Sequence, residues 1–524
     1  MDRRSIALLG MLLPAFASLR AQDHAHPSTE KLGRVHFETS CAPAVTAQFD
    51  RAVALLHSFE FRAAIQGFER VLATDSTCAM AHWGIAVSRW TNPMTINIRP
   101  PALIARGRQA ADAAARLAAS RATPRERDYI AAVSTLYADP ARDQRARVLA
   151  YEQAMGAIAA RYPDDSEARI FHALALVAAA LPSDKTYANQ LRAGAILEEM
   201  FSKDPEHPGL AHYIIHSYDV PALADKAAAA ARRYADIAPS AAHALHMPSH
   251  TFTRVGMWDE SIGTNWRSME AAMRDSSPAE ALHALDYAIY ANLQMRRDSA
   301  ARAILAAMPR IMAVFDPEKV TGAAPGSAGL YAAAAMPARY ALERRAWSEA
   351  VALRPTPTAF PYTEGITYFA RALGAVHTGD RASADASIDS LGAIHERLVA
   401  NREAYWAEQV AIQKLAAEAW LLFRTGSRDA GLARMRDAAT RENATEKAAV
   451  TPGPLAPARE LLADMLLAAG RPAEALAEYR ASLTREPNRY LSLEGAAEAA
   501  AAAGDRAAEA QYRRDIARLT GKSE

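Results

Sequence analysis

Two histidine pairs one repeat length apart constrain this 524-residue chain more than any other feature. His212 and His216 stand four apart, His246 and His250 stand four apart, and 246 − 212 = 34. A four-residue step puts two side chains on one face of a helix. An offset of that size is the length of one helical repeat unit. The pattern therefore predicts two consecutive helical units, each presenting an imidazole pair to the same side. His207 and His243 fall in the same stretch, so six of the fifteen histidines lie between 207 and 250.

The rest of the sequence agrees with helices. Hydrophobic residues make up 51% and aromatic residues only 7%. Much of the apolar content is alanine, which favours close-packed helices over a sheet sandwich. The formal charge is +1 with both signs interspersed, so no nucleic-acid footprint is expected. From Pro43 onward the pattern is amphipathic helix, short turn, amphipathic helix. The first unit is read at 43–58 and 61–73, and the second begins at Cys78. Three segments rich in Pro, Gly and Thr, 320–329, 354–365 and 444–457, read as loops. No phosphate loop, nucleophile elbow or dinucleotide fingerprint occurs.

The N-terminus has the pattern of a secretory signal. Arg3 and Arg4 precede an apolar run from Ile6 to Leu13, followed by small residues around Ala15 to Ala21. Residues 1–21 are read as a signal peptide, and 22–33 as a flexible segment. The apolar run is too short to span a bilayer, and no membrane span is expected in the mature chain. An exported protein, periplasmic or secreted, can join its two cysteines, so Cys41 and Cys78 are a disulfide candidate. Two separate thiols are the alternative.

LLAAGRPAEALAEYRASLTREPN carries the clearest repeat signature. Gly470 ends a helix, Ala475 and Leu476 sit at a close crossing, Tyr479 and Ser482 continue the ridge, and Pro487 stops the second helix. This resembles the tetratricopeptide repeat (TPR). Gly256, Trp258 and Ile262 match the same pattern, and Pro205 and Pro239 mark unit ends. The phrases HYIIHSYD and HMPSH resemble those of exported bacterial TPR proteins. The resemblance implies an all-α, TPR-like helical-hairpin solenoid, a right-handed superhelix whose concave groove binds a peptide or protein partner. The expected division is an N-terminal lobe with the histidines over 34–310, an irregular connecting region with a helical hairpin over 311–365, and C-terminal repeats over 366–520.

On the repeat frame, His212, His216 and Asp219 occupy groove-facing positions of one helix, and His243, His246 and His250 those of the next. His283, Asp286 and Tyr290 have the same spacing on a third. Packed helices lie about 8–10 Å apart, so His212, His216, His246 and His250 are the candidate ligands of one transition metal. Zn, Cu or Fe is expected, because imidazole suits these ions. His243, Asp219, Arg254, His283, Asp286 and Tyr290 are candidate ligand-binding residues, with Arg254 placed to hold a carboxylate. The bland alternative is a hydrogen-bonding groove wall.

Other histidines are weaker candidates. His57 and Glu60 end the first helix, His82 and His172 read as packed, and His395-Glu396 lacks the second histidine of a zinc-protease motif because Val399 stands there. Two functions follow. One is an exported scaffold that binds a peptide, protein or small ligand in its groove beside a metal. The other is a metal-dependent enzyme using the same histidines.

Overall fold

A computed structural model describes residues 30–95, 97–139, 143–319 and 321–521. The signal peptide read at 1–21 and most of the segment at 22–33 lie outside them. The protein is all-α: among the described residues the elements run from Pro43–Val45 to Arg506–Thr520 as α-helices and two 3-10 turns, with no strand. No helix among them is long and apolar enough to cross a membrane.

A single turn recurs at the joints. Three residues separate the helices Thr46–His57 and Phe61–Thr74, and the middle one, Phe59, has φ 55°. The same left-handed middle position is Gly256, Ser276, Arg296, Arg402, Gly426, Gly470 and Gly504 at later joints. Glycine takes this conformation without steric cost. At the other joints Phe59, Ser276, Arg296 and Arg402 adopt it without that freedom. Each helix then packs chiefly on its neighbours in sequence, so successive hairpins build one stacked core.

The stack is not open along its length. The first helix, Thr46–His57, returns to pack against Pro208–Ser217. Gly209 permits this approach, since a β-carbon there would lie 2.6 Å from His57 Nδ1. The helix Pro278–Gln294 packs on Gly326–Leu342, which packs on Pro361–Thr378. Helices therefore begin inside two segments read as loops, at Gly326 and at Pro361. The region 311–365 contains Gly326–Leu342 and Trp347–Ala352, and its apolar residues join the cores on either side. Cys41 is bonded to Cys78.

A buried ionic lattice ties the C-terminal helices to this middle section. Arg489 pairs with Glu460 at 2.8 Å and with Glu343 at 2.7 Å, and donates to the Tyr290 hydroxyl at 3.1 Å. Arg339 pairs with Asp286 at 2.9 Å and donates to Thr451 Oγ1 and to the Gly453 carbonyl. The segment 444–457 is thereby drawn inward rather than looping over the surface.

Candidate metal centre

The histidines lie in the interior. His212 and His246 are fully buried, and His216, His243, His250 and His283 nearly so. The expectation of a stripe along an open groove is corrected here, because the first helix and the 444–457 segment cover that face. The partition of the rings also differs from one set of four. His212, His216 and His243 bring their donor atoms within 4.8 Å of one another, and so do His246, His250 and His283. The second histidine-bearing stretch is split at Pro248 into Ala242–His246 and Pro248–Arg254. His243 then faces the earlier helix while His246 and His250 face the later one.

Proton positions follow from the partners. His212 Nδ1 donates to the His57 carbonyl at 2.6 Å. His243 Nδ1 donates to Glu280 at 2.8 Å. His250 Nδ1 donates to Asp219 at 2.9 Å. His246 Nδ1 meets Asn265 Oδ1 at 2.7 Å, and Asn265 Nδ2 donates to the Ser261 carbonyl, which orients the amide with its oxygen toward the ring. Each of these four rings therefore carries its proton on Nδ1 and a lone pair on Nε2. Among the described residues, the Nε2 atoms of His212, His216 and His243 have no hydrogen-bond partner, nor has Nδ1 of His283. A histidine with one nitrogen given to a carboxylate or carbonyl and the other free is the arrangement that holds metals.

Electrostatics favour the neutral form of His212, His216, His246, His250 and His283. Burial, reinforced by neighbouring imidazoles, holds His212, His216 and His246 well below the ordinary histidine range. Burial brings His250 down to about 4 against the pull of Asp219, and His283 down to about 3. Burial works to raise Asp219, but Lys447, Arg254 and His250 overcome it and hold the carboxyl well below its usual value. Neutral imidazole is the metal-binding form. Nitrogens held by one ion at about 2.0–2.1 Å would lie roughly 3.3–3.6 Å apart, and the Nε2 atoms of His246 and His250 stand at 3.1 Å.

A third group, His57, Glu167 and His207, also has donor atoms within 4.8 Å. There the carboxylate already joins both rings, at 2.9 Å to His57 Nε2 and 3.0 Å to His207 Nε2. The Tyr213 hydroxyl meets His57 Nδ1. Glu167 ties the two rings together and braces the helix that positions His212, although His207 Nδ1 has no partner among the described residues.

The remaining candidates go elsewhere. Arg254 is engaged by Asp219, through Nε to the carboxylate and Nη2 to the carbonyl, both at 2.9 Å. Asp286 and Tyr290 belong to the ionic lattice. Several contributors were not singled out from sequence. Lys447 lies 3.1 Å from Asp219, Tyr287 rests against the rings of His246 and His250, and Glu280 and Asn265 orient rings. Phe59, from the left-handed turn, packs on His212 at 4.4 Å between centroids and on His216 and His243.

Two cavities adjoin the histidines. A small one of about 20 Å³ is lined by His216, His243, His250 and His283, room for about one water. A cleft of about 1270 Å³ is lined by apolar side chains, among them Trp90, Ile104, Val148 and Leu181, and by arginines such as Arg99 and Arg147, with His216 and Asp219 in its wall. His216, Met94, Thr95, Ala448 and Ala449 line both spaces.

No protein-family model and no curated protein matches the sequence. Solved structures share its helical-repeat architecture at low similarity. The human IFIT1 dimer with m7Gppp-AAAA is 12% identical with a TM-score of 0.39, over 84% of this chain and 90% of that one. Yeast Tom70 is 12% identical with a TM-score of 0.33, over 88% and 96%. The TPR domain of P58(IPK) is 13% identical with a TM-score of 0.21, over 68% and 93%. At such scores nothing of a site, ligand or partner carries over.

Proposed function

We propose that this chain is an exported metalloprotein: a helical-repeat scaffold that binds a transition metal with its buried histidines and takes a small, largely apolar ligand in the cleft beside them. The observation that carries this reading is the cluster of unpaired buried imidazole nitrogens, two of them, on His212 and His243, on rings whose other nitrogen donates to an acceptor. A protein interior leaves such nitrogens unpaired at a cost. A bound ion converts that cost into coordination. The Cys41–Cys78 bond supports an oxidising compartment, in keeping with the N-terminal pattern of Arg3, Arg4 and an apolar run.

A closed histidine face favours a small ligand over the peptide or protein partner expected of an open groove. Elemental analysis of washed, full-length protein tests the metal. Zn, Cu or Fe in stoichiometric amount supports it. Metal-free protein whose melting temperature does not move on metal titration defeats it.

The enzyme reading has one observation in its favour. The small cavity lies on the side where four imidazoles converge, and it shares walls with the cleft, so a bound ion would keep a position open toward a ligand. Exposed Ile98 and Leu181 at the cleft suit entry of an apolar substrate. His246→Ala removing a turnover found with wild-type protein would support it. An unchanged turnover would count against it.

A further inference from the structure

We infer that the interior holds two ions rather than one, a copper pair with one ion in each histidine triad. This rests on the metal reading above and adds nuclearity and identity to it. Nuclearity comes from geometry. The donor atoms fall into two sets of three with no residue shared. The sets adjoin: ring centroids are 6.1 Å apart for His216 and His250, and 5.9 Å for His243 and His246. The small cavity is walled by His216 and His243 of one set and His250 and His283 of the other. Its position suits a small exogenous ligand touching both ions.

Identity comes from charge and coordination number. All six candidate ligands are imidazoles, so the ligand set brings no negative charge. Around them Asp219 faces Arg254 and Lys447, and Glu280 is the other carboxylate on a ring. The two carboxylates bonded to the rings, Asp219 and Glu280, are matched by the two cations on Asp219, Arg254 and Lys447. Two divalent ions would bring four uncompensated charges into a buried site, which is costly. Two cuprous ions bring half of that, and three nitrogen donors suffice for each. Imidazole accepts copper readily, and copper stands at the top of the divalent affinity order as well.

The test is metal titration of full-length protein with the disulfide intact. Cuprous ion is supplied from a competing chelator under anaerobic conditions, and zinc is supplied in a parallel sample. Expected is a limiting ratio of two copper per chain, with X-ray absorption of the wild type reporting about three nitrogen neighbours per copper. His243→Gln and His283→Gln, one in each triad, should each lower the ratio from two to one. A limiting ratio of one in the wild type, or zinc retained in the presence of copper, overturns this inference and leaves the broader metal reading standing. Failure to take up any metal overturns both. The wild-type ratio decides the matter even if a variant fails to fold.

Discussion

The Nε2 atoms of His246 and His250 face each other at 3.1 Å, while each ring has given its Nδ1 proton away, to Asn265 and to Asp219. Both rings are held neutral by burial. Two lone pairs at that separation repel unless a cation lies beside both. The proposed metal would relieve this contact, and that makes ring orientation testable. Asn265→Ala leaves every candidate ligand in place but frees the His246 ring. Loss of such an orienting partner typically costs 10–100-fold in metal affinity. Competition titration of this variant should show a weakening of about that size. Unchanged affinity would mean the Asn265 bond does not position a ligand.

The ionic lattice predicts a different class of effect. Among the described residues, Arg489 is the one cation paired with the carboxylates of buried Glu460 and Glu343. Arg489→Met leaves both carboxylates without it, and breaking a buried pair in this way costs about 3–5 kcal/mol. Urea unfolding should show that loss. A change below about 1 kcal/mol would mean that the lattice is as weak as a surface ion pair.

At the C-terminal hairpin two substitutions separate packing from backbone. Ala475 is fully buried at the helix crossing, so Ala475→Trp should overpack it by about 1–3 kcal/mol or more. Gly470 has φ +75° with nothing within 4 Å of an added β-carbon. An alanine β-carbon there meets no neighbour among the described residues, so Gly470→Ala acts through its left-handed backbone, at about 1–2 kcal/mol. Hydrogen exchange should place both losses in the terminal hairpins, since stacked repeats depend on their neighbours. Uniform loss over the whole chain would contradict this.

Acid sensitivity has a contributor far from the metal centre. His377 stacks on Trp347 at 4.0 Å, and burial, then Arg424 and Arg345, lower it to about 4. Its ordinary value is 6.5, so between those values the unfolded chain binds a proton that the folded chain refuses. Stability present above pH 6.5 is therefore lost as pH falls toward 4. His377→Phe keeps the stacking and removes the proton. Its unfolding midpoint should fall less than that of the wild type between pH 7 and pH 5, and equal falls would remove this assignment.

Helix content, hairpin rhythm and the 34-residue register were legible because they depend on near neighbours. So was the convergence of His212, His216, His246 and His250 in one region. The division into two triads was not, because it depends on distant contacts. His212 is oriented by the carbonyl of His57, more than 150 residues earlier. Lys447 reaches Asp219 across 228 residues from a segment whose Pro and Gly content reads only as loop. Glu280 stood three residues before His283, on the same helix face, so a signal for it existed. Asp286 and Tyr290 had the right spacing but the wrong partners, because Arg339, on a later helix, and Arg489, just before the helix Tyr490–Ala502, approach in a way no local pattern encodes.

Anomalous diffraction from crystals of the metal-loaded protein, recorded at the metal absorption edge, tests the central claim most directly. The account predicts a peak inside the ring of His246, His250 and His283 and a second inside that of His212, His216 and His243, with nothing at His57, Glu167 and His207. A map without a peak at either histidine triad, from protein shown to be folded and exposed to metal, would contradict it.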